Sequence, residues 1–211
     1  MSAKASTATA ESPATKLADT LPGVHPLIRS RWSPRSFSSR EVSPQDLRTL
    51  LDAARWAASS YNEQPWRFLV ATKSDPAAYQ KMLSILVEFN QNWARTAPVL
   101  ILTVAKKTFS HSGEPNYHAL HDTGAALAYL MLQATALGLH AHGMAGFDHE
   151  HARKELGIPD DYAVGAAVAV GYLDSAEKLP EHYRPGETAP RQRKPIEEIA
   201  FGAGWNQPLK A

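Results

Sequence analysis

Apolar positions recur along the chain with two periods, and the changes between them mark the elements. Leu47, Leu50, Leu51 and Ala54 fall on one helical face, which predicts a helix from 43 to about 56. Ser43 caps it, Pro44 takes its first turn, and Asp46 follows in that turn. Residues 68–71 read next as a buried strand. Asp75 and Pro76 open another helix, along which Met82, Leu83, Leu86 and Phe89 recur at helical spacing. The runs 99–105 and 164–170 have strand length and strand composition, and 140–147 reads as a strand ending at Gly146. Short helices are expected at 27–31 and 149–156, with one or two helical turns at 196–199. Residues 179–190 carry three prolines and no core pattern, so they read as loop.

One stretch departs from amphipathic spacing. Residues 117–137 form the longest predicted helix, and 123–139 are apolar nearly all round. That run falls short of the ~20 residues a membrane span needs, includes Gln133 and Thr135, and stops at Gly138. A helix of this kind outside a membrane is buried on every side. A single small domain seldom supplies so much cover; a dimer interface does. The tail 201–205, with Phe201 and Trp205, asks for cover in the same way.

The chain has 211 residues, enough for one sizeable core and short for two. Residues 1–22 are dominated by small and polar residues and are expected to be a disordered extension ahead of one domain at 23–211. They lack the apolar centre of a secretory signal, and a cytoplasmic location is expected. The formal net charge of +1 gives no general surface for nucleic acid, so basic residues must act locally. With no cysteine, thiolate nucleophiles, Cys-type zinc sites and iron–sulfur clusters are excluded.

Among nine histidines, His118 and His121 stand at i, i+3 beside Asp122, and His140 and His142 share a strand face. No third ligand follows at a recognised spacing, so no metal is assigned. There is no Gly-x-Ser-x-Gly elbow, and the glycines at 143 and 146 are too close for a dinucleotide or P-loop fingerprint. Arg29, Arg31 and Arg35 surround Ser33, which suits either a phosphate clamp or a solvated basic patch. Ser59, Ser60, Asn62 and Gln64, just before the strand at 68, suit either a turn or the edge of a planar ligand that donates and accepts hydrogen bonds.

The order Ser59, Ser60, Asn62, Gln64, Pro65, Trp66, Phe68 between a helix and a strand resembles the flavin loop of the nitroreductase family, FMN enzymes that reduce with NAD(P)H. Four further segments resemble it in order: 31–37, the helix 122–138, 143–148, and 193–198. The resemblance covers about 27 to 205. It implies an α+β fold with a central, mostly antiparallel sheet flanked by helices, in an intertwined homodimer with FMN at the interface. It implies that Arg31, Ser33 and Arg193 hold the FMN phosphate, with Trp32 contributing through its backbone. Arg35 would reach the ribityl chain or the N1/O2 side. Asn62 would face the pyrimidine edge beside Gln64, with Ser59 and Ser60 coming from the facing subunit. Backbone N–H groups of Ala145 and Gly146 would approach O4 and N5, where small residues allow it. No protein group would be catalytic, because the flavin carries the chemistry. The implied reaction is ping-pong, from NAD(P)H to a small acceptor such as a nitroaromatic or quinone, with no membrane or nucleic-acid partner. A flavin-fragmenting or dehalogenating relative, or a flavin-binding protein without turnover, stands as the alternative.

Overall fold

The computed structural model describes residues 13–209. Its four strands are β1 (Trp66–Thr72), β2 (Val99–Lys106), β3 (His140–Met144) and β4 (Tyr162–Gly171). They form one sheet in the order β1-β2-β4-β3 with every neighbouring pair antiparallel. The α+β class and the mostly antiparallel sheet are as expected. Both faces are covered. Leu100, Leu102 and Val104 of β2 enter a core with Met82, Ile85 and Trp93, while Val99 and Ile101 enter another with Leu50, Leu130 and Leu139. A strand buried on both faces reads as a continuous apolar run, which is why β2 was legible from composition.

The register between β2 and β4 shifts between Leu102 and Val104. At this bulge Thr103, almost fully buried, uses its hydroxyl in place of the ladder. Ala166 N–H donates to Thr103 Oγ1 at 2.8 Å, and the hydroxyl lies 3.2 Å from the Ala166 carbonyl. Gly165 leaves it room, since a Cβ there would sit 2.5 Å from Thr103 Oγ1.

Helices α1 (Pro26–Ser30), α2 (Pro44–Ala54) and α5 (Ala119–Ala136) pack together on one face of the sheet. On the other lie α3 (Pro76–Ser84) and α4 (Glu88–Ala94). The expected single helix through Phe89 is broken between them. Leu86 pairs with Phe147 in an antiparallel bridge, with Val87 N–H donating to Gly146 O at 3.1 Å and Asp148 N–H to Ile85 O at 2.8 Å. Backbone pairing overrides the helical spacing there, ends β3 at Met144, and sets α4 against Gly146. Asp148 then caps α6 (His149–Glu155) through His151 N–H at 2.9 Å.

Two further expectations need correction. Residues 179–190 are not a plain loop. They include a 3-10 turn and α7 (Arg184–Thr188), and they bury Leu179, Tyr183 and Glu187. Tyr183 donates to the Phe89 carbonyl at 2.7 Å, so isolated buried side chains rather than a periodic pattern hold the stretch. In the expected extension 1–22, residues 1–12 lie outside the described residues, but from Pro13 the chain is docked, with Lys16 only 3% exposed. As the apolar run implied, α5 is not covered all round by its own chain. Ala126, Leu130 and Ala134 are buried, whereas Leu120, Gly124, Ala128 and Tyr129 face outward. Among the described residues no helix is long and apolar enough to cross a membrane.

Candidate functional site

The extended segment after α1 carries Arg31, Trp32 and Ser33 to a cavity of about 230 Å³, whose wall also includes Lys16, Arg191 and Arg193. Arg31 donates to Ser33 Oγ at 3.2 Å. Arg191 crosses between two other segments, donating to Lys16 O at 3.2 Å and Arg29 O at 2.9 Å. Arg193 stays at the surface and bonds the Gln192 carbonyl at 2.7 Å. Burial first, and then the charges of Arg191 and Arg193, hold the Arg31 guanidinium below its ordinary range. Burial and Arg193 do the same to Arg191. Among the described residues, no carboxylate lines the cavity. Three guanidinium groups and an ammonium that repel one another, with a hydroxyl beside them, suit a doubly charged phosphate monoester.

Two imidazoles underlie this cationic end. The carbonyl of Pro34 can only accept, so His142 Nδ1 carries the proton in their 2.8 Å contact. The His142 ring packs on Trp93 at 4.6 Å, and His140 meets Trp32 edge-on at 5.9 Å. Burial above all, with Arg31 near both rings and Arg35 near His142, lowers each to about 4. They are neutral at physiological pH and add no charge. Arg35 adjoins the cavity. Its backbone N–H donates to the buried Glu187 carboxylate, its guanidinium lies against Gly186, and its buried Nε has no hydrogen-bond partner among the described residues.

The loop forms a second group. Tyr61, Asn62 and Gln64 have φ of 52°, 54° and 51°, left-handed values that side chains other than glycine rarely adopt. Such residues cost about 1 kcal/mol or more each and persist where the surroundings hold them. Here Ser60 N–H donates to Asp122 Oδ2 at 2.9 Å, and Gln64 N–H to Ser59 Oγ at 3.0 Å. Gln64 Nε2 turns back to Asn62 O at 3.1 Å, and Arg67 bonds Gln64 O at 3.1 Å. Glu63 accepts from both the N–H and the hydroxyl of Ser110, and those two bonds, the largest influence on it, hold its carboxyl below the ordinary 4.5. Asp122 itself is buried in the first turn of α5, with its other oxygen 3.0 Å from His121 Nδ1.

Ala145 and Gly146 form a third group beneath α4. Gly146 O accepts from Asn90 Nδ2 at 2.9 Å, and a Cβ on Gly146 would lie 2.6 Å from that nitrogen. Its small size therefore serves the fold as well as any ligand. Arg31, Trp32, Ser33 and Arg193 are thus brought together in one chain with Arg35 beside them. Ser59, Ser60, Asn62 and Gln64 are held apart from them on α5, by bonds that do not reach the cavity. Lys16, Arg191 and Asp122 were not foreseen in these roles. Arg191 could have been, since residues two apart in an extended segment face the same way. Among the described residues no three His, Asp or Glu side chains converge as a metal site.

The profile of the nitroreductase family matches residues 28–172, and the chain belongs to that family. A Thermus thermophilus protein named NADH dehydrogenase is 31% identical over 188 residues, covering 74% of this chain and 89% of its own. A crystal structure described as an oxidoreductase containing FMN superposes with a TM-score of 0.85 at 38% identity, covering 92% of this chain and 98% of that one. A nitroreductase family protein from Clostridium difficile 630 superposes at 0.66 with 27% identity, covering 85% and 97%.

Proposed function

We propose that this chain is an FMN-dependent oxidoreductase that carries electrons from NAD(P)H to a small oxidised acceptor such as a nitroaromatic or quinone. The observation that carries the reading is the cavity of Arg31, Ser33, Arg191 and Arg193, a recess lined and charged to take a phosphate. Membership of the family and likeness to an oxidoreductase containing FMN support it. Bound FMN would supply hydride acceptance from NAD(P)H and two-electron delivery to the acceptor. Arg31, Arg193 and Ser33 would fix the phosphate, and Asn62 and Gln64 would present amide edges to the ring system. Arg35 would place a cation near the ring, and the backbone at Ala145 and Gly146 would approach its opposite edge.

The working unit is a homodimer. α2 packs on α5, and the loop is tied to Asp122, so these neighbouring segments together leave Trp56, Tyr61, Tyr117, Leu120 and Tyr129 exposed. At the C-terminal end Phe201 and Trp205 pack on each other at 5.1 Å while Trp205 stays 81% exposed. Apolar surface on this scale marks an interface. A second copy would cover it and bring one chain's loop toward the other's cavity. The test is the purified protein itself: yellow, releasing FMN and not FAD on heating, and oxidising NAD(P)H with a generic quinone. Recovery of FAD, or of an apo-protein that takes up no FMN, would overturn the reading.

A further inference from the structure

Lys16 precedes the family-matched residues, in a stretch whose composition promises no structure. The residue is nonetheless only 3% exposed. It donates to Gly186 O at 2.8 Å and Ala189 O at 2.6 Å, and it lies 5.0 Å from the centre of the Trp32 ring. The segment around it is tied down on the other side too. Arg191 binds the Lys16 carbonyl at 3.2 Å, and Ala18 N–H donates to Arg29 O at 2.9 Å. The turn at Ala14–Lys16 therefore spans from α7 to the end of α1, across the phosphate cavity.

A clasp between two carbonyls does not need a full charge, and burying one is costly without a counter-ion. The carboxylate whose charge reaches Lys16 is Glu187, which already accepts from Arg35 N–H. Arg191 and Arg35 act against the ammonium. An ammonium has three N–H groups. Two are taken by the carbonyls, which leaves the third for the recess that Lys16 lines.

We infer that Lys16 is a ligand of the cofactor phosphate, and that the segment at 13–18 is a strap closing the phosphate end of the flavin site. The inference rests on the FMN reading above and adds to it a cation from outside the family-matched region. It predicts discrimination between FMN and riboflavin, which share a ring system and differ by the phosphate.

Apo-protein is titrated separately with FMN and with riboflavin, following flavin fluorescence, for the wild type, Lys16→Gln and Lys16→Arg. Gln keeps two N–H donors for the carbonyls and removes the charge. Lys16→Gln should bind FMN about tenfold more weakly, about 1.4 kcal/mol, with riboflavin affinity changed less than about twofold. Lys16→Arg, which keeps the charge, should recover most of the FMN affinity. Equal weakening toward both flavins would make Lys16 a structural clasp and overturn the inference, as would no change toward either. If Lys16→Gln does not fold, a crystal structure of the wild type with FMN decides: Lys16 Nζ must lie within hydrogen-bonding distance of a phosphate oxygen, and a longer separation overturns the inference. A wild type that binds neither flavin sinks the FMN reading itself, whereas FMN binding indifferent to Lys16 sinks this inference alone.

Discussion

The cavity around Arg31 and the loop at 59–64 are both polar and both near the surface, yet they are held by opposite means. The cavity is an electrostatic construction. Three arginines and a lysine from three separated stretches are brought together, and burial first, then neighbouring cations, disfavours the charge on Arg31, Arg191 and Lys16. The loop is a conformational construction, with three left-handed residues fixed by hydrogen bonds to Asp122, Ser59 and Arg67. The cavity is complete in one chain and wants an anion. The loop is complete in conformation, but it leaves Tyr61 84% exposed beside an uncovered face of α5, and so wants a surface. If the proposed reading holds, a site divided this way would assemble its recognition of phosphate before dimerisation and its recognition of the ring only afterwards.

Acid should separate the two regions most strongly. His140 and His142 have folded values near 4 against an ordinary 6.5, so the unfolded chain takes up protons first as pH falls. Their contribution is fully present above pH 6.5 and is lost between 6.5 and 4, about 5 kcal/mol for the pair by pH 4.5. Glu187, raised chiefly by burial, pulls weakly the other way. The loop's pH-sensitive link is Glu63, lowered from 4.5, whose contribution is lost only below that pH. Urea unfolding of the apo-protein at pH 7.5 and 4.5 checks this. Undiminished stability at pH 4.5 would mean that the imidazoles accept protons at no cost.

Ala128→Arg tests the uncovered face of α5. A charge left without a partner in a buried interface costs about 3–5 kcal/mol. Sedimentation of the wild type at dilute concentration should give a dimer, and of the variant a monomer. Because Ala128 is exposed in the single chain, the fold of the variant should be intact by circular dichroism. A wild-type monomer that retains flavin would refute the division of the site between subunits.

Asp122→Ala attacks the loop directly. It leaves the Ser60 N–H without its acceptor, at a cost of about 2 kcal/mol. Hydrogen exchange at Ser60 should accelerate, while the cavity around Arg31 is untouched. Unaltered exchange would mean that Ser59 and Arg67 suffice to hold the left-handed residues.

The sequence was most informative where one element satisfies one rule. β2, buried on both faces, and α2, with its Ser43 cap, Pro44 and regular apolar spacing, read directly. It was least informative where distant backbone sets local structure. The Leu86–Phe147 bridge breaks a helix that spacing alone continues, and the two carbonyls that bury Lys16 come from residues more than 160 positions away. Arg31, Ser33 and Arg193 came from resemblance, because three arginines near a serine are as consistent with a solvated patch. What singles them out is their convergence on one recess that, among the described residues, no carboxylate lines.

The finest comparison lies between two arginines near the same cavity. Arg193 lines it at the surface, where it would touch a phosphate whose charge is the same before and after each half-reaction. Arg35 is held behind it, its backbone tied to Glu187 and its buried Nε free to take an acceptor. Reduction of a flavin adds negative charge to the ring, and a fixed cation nearby favours that change in a site shielded from water. Arg193→Ala should therefore weaken FMN binding about tenfold and leave the flavin potential and hydride uptake nearly alone. Arg35→Ala should slow reduction by NAD(P)H about tenfold and lower the potential, with a smaller loss of affinity. Stopped-flow reduction and a redox titration of both variants measure these quantities. Equal losses of affinity with unchanged reduction rates would make Arg35 one more phosphate ligand and move the ring-facing cation elsewhere.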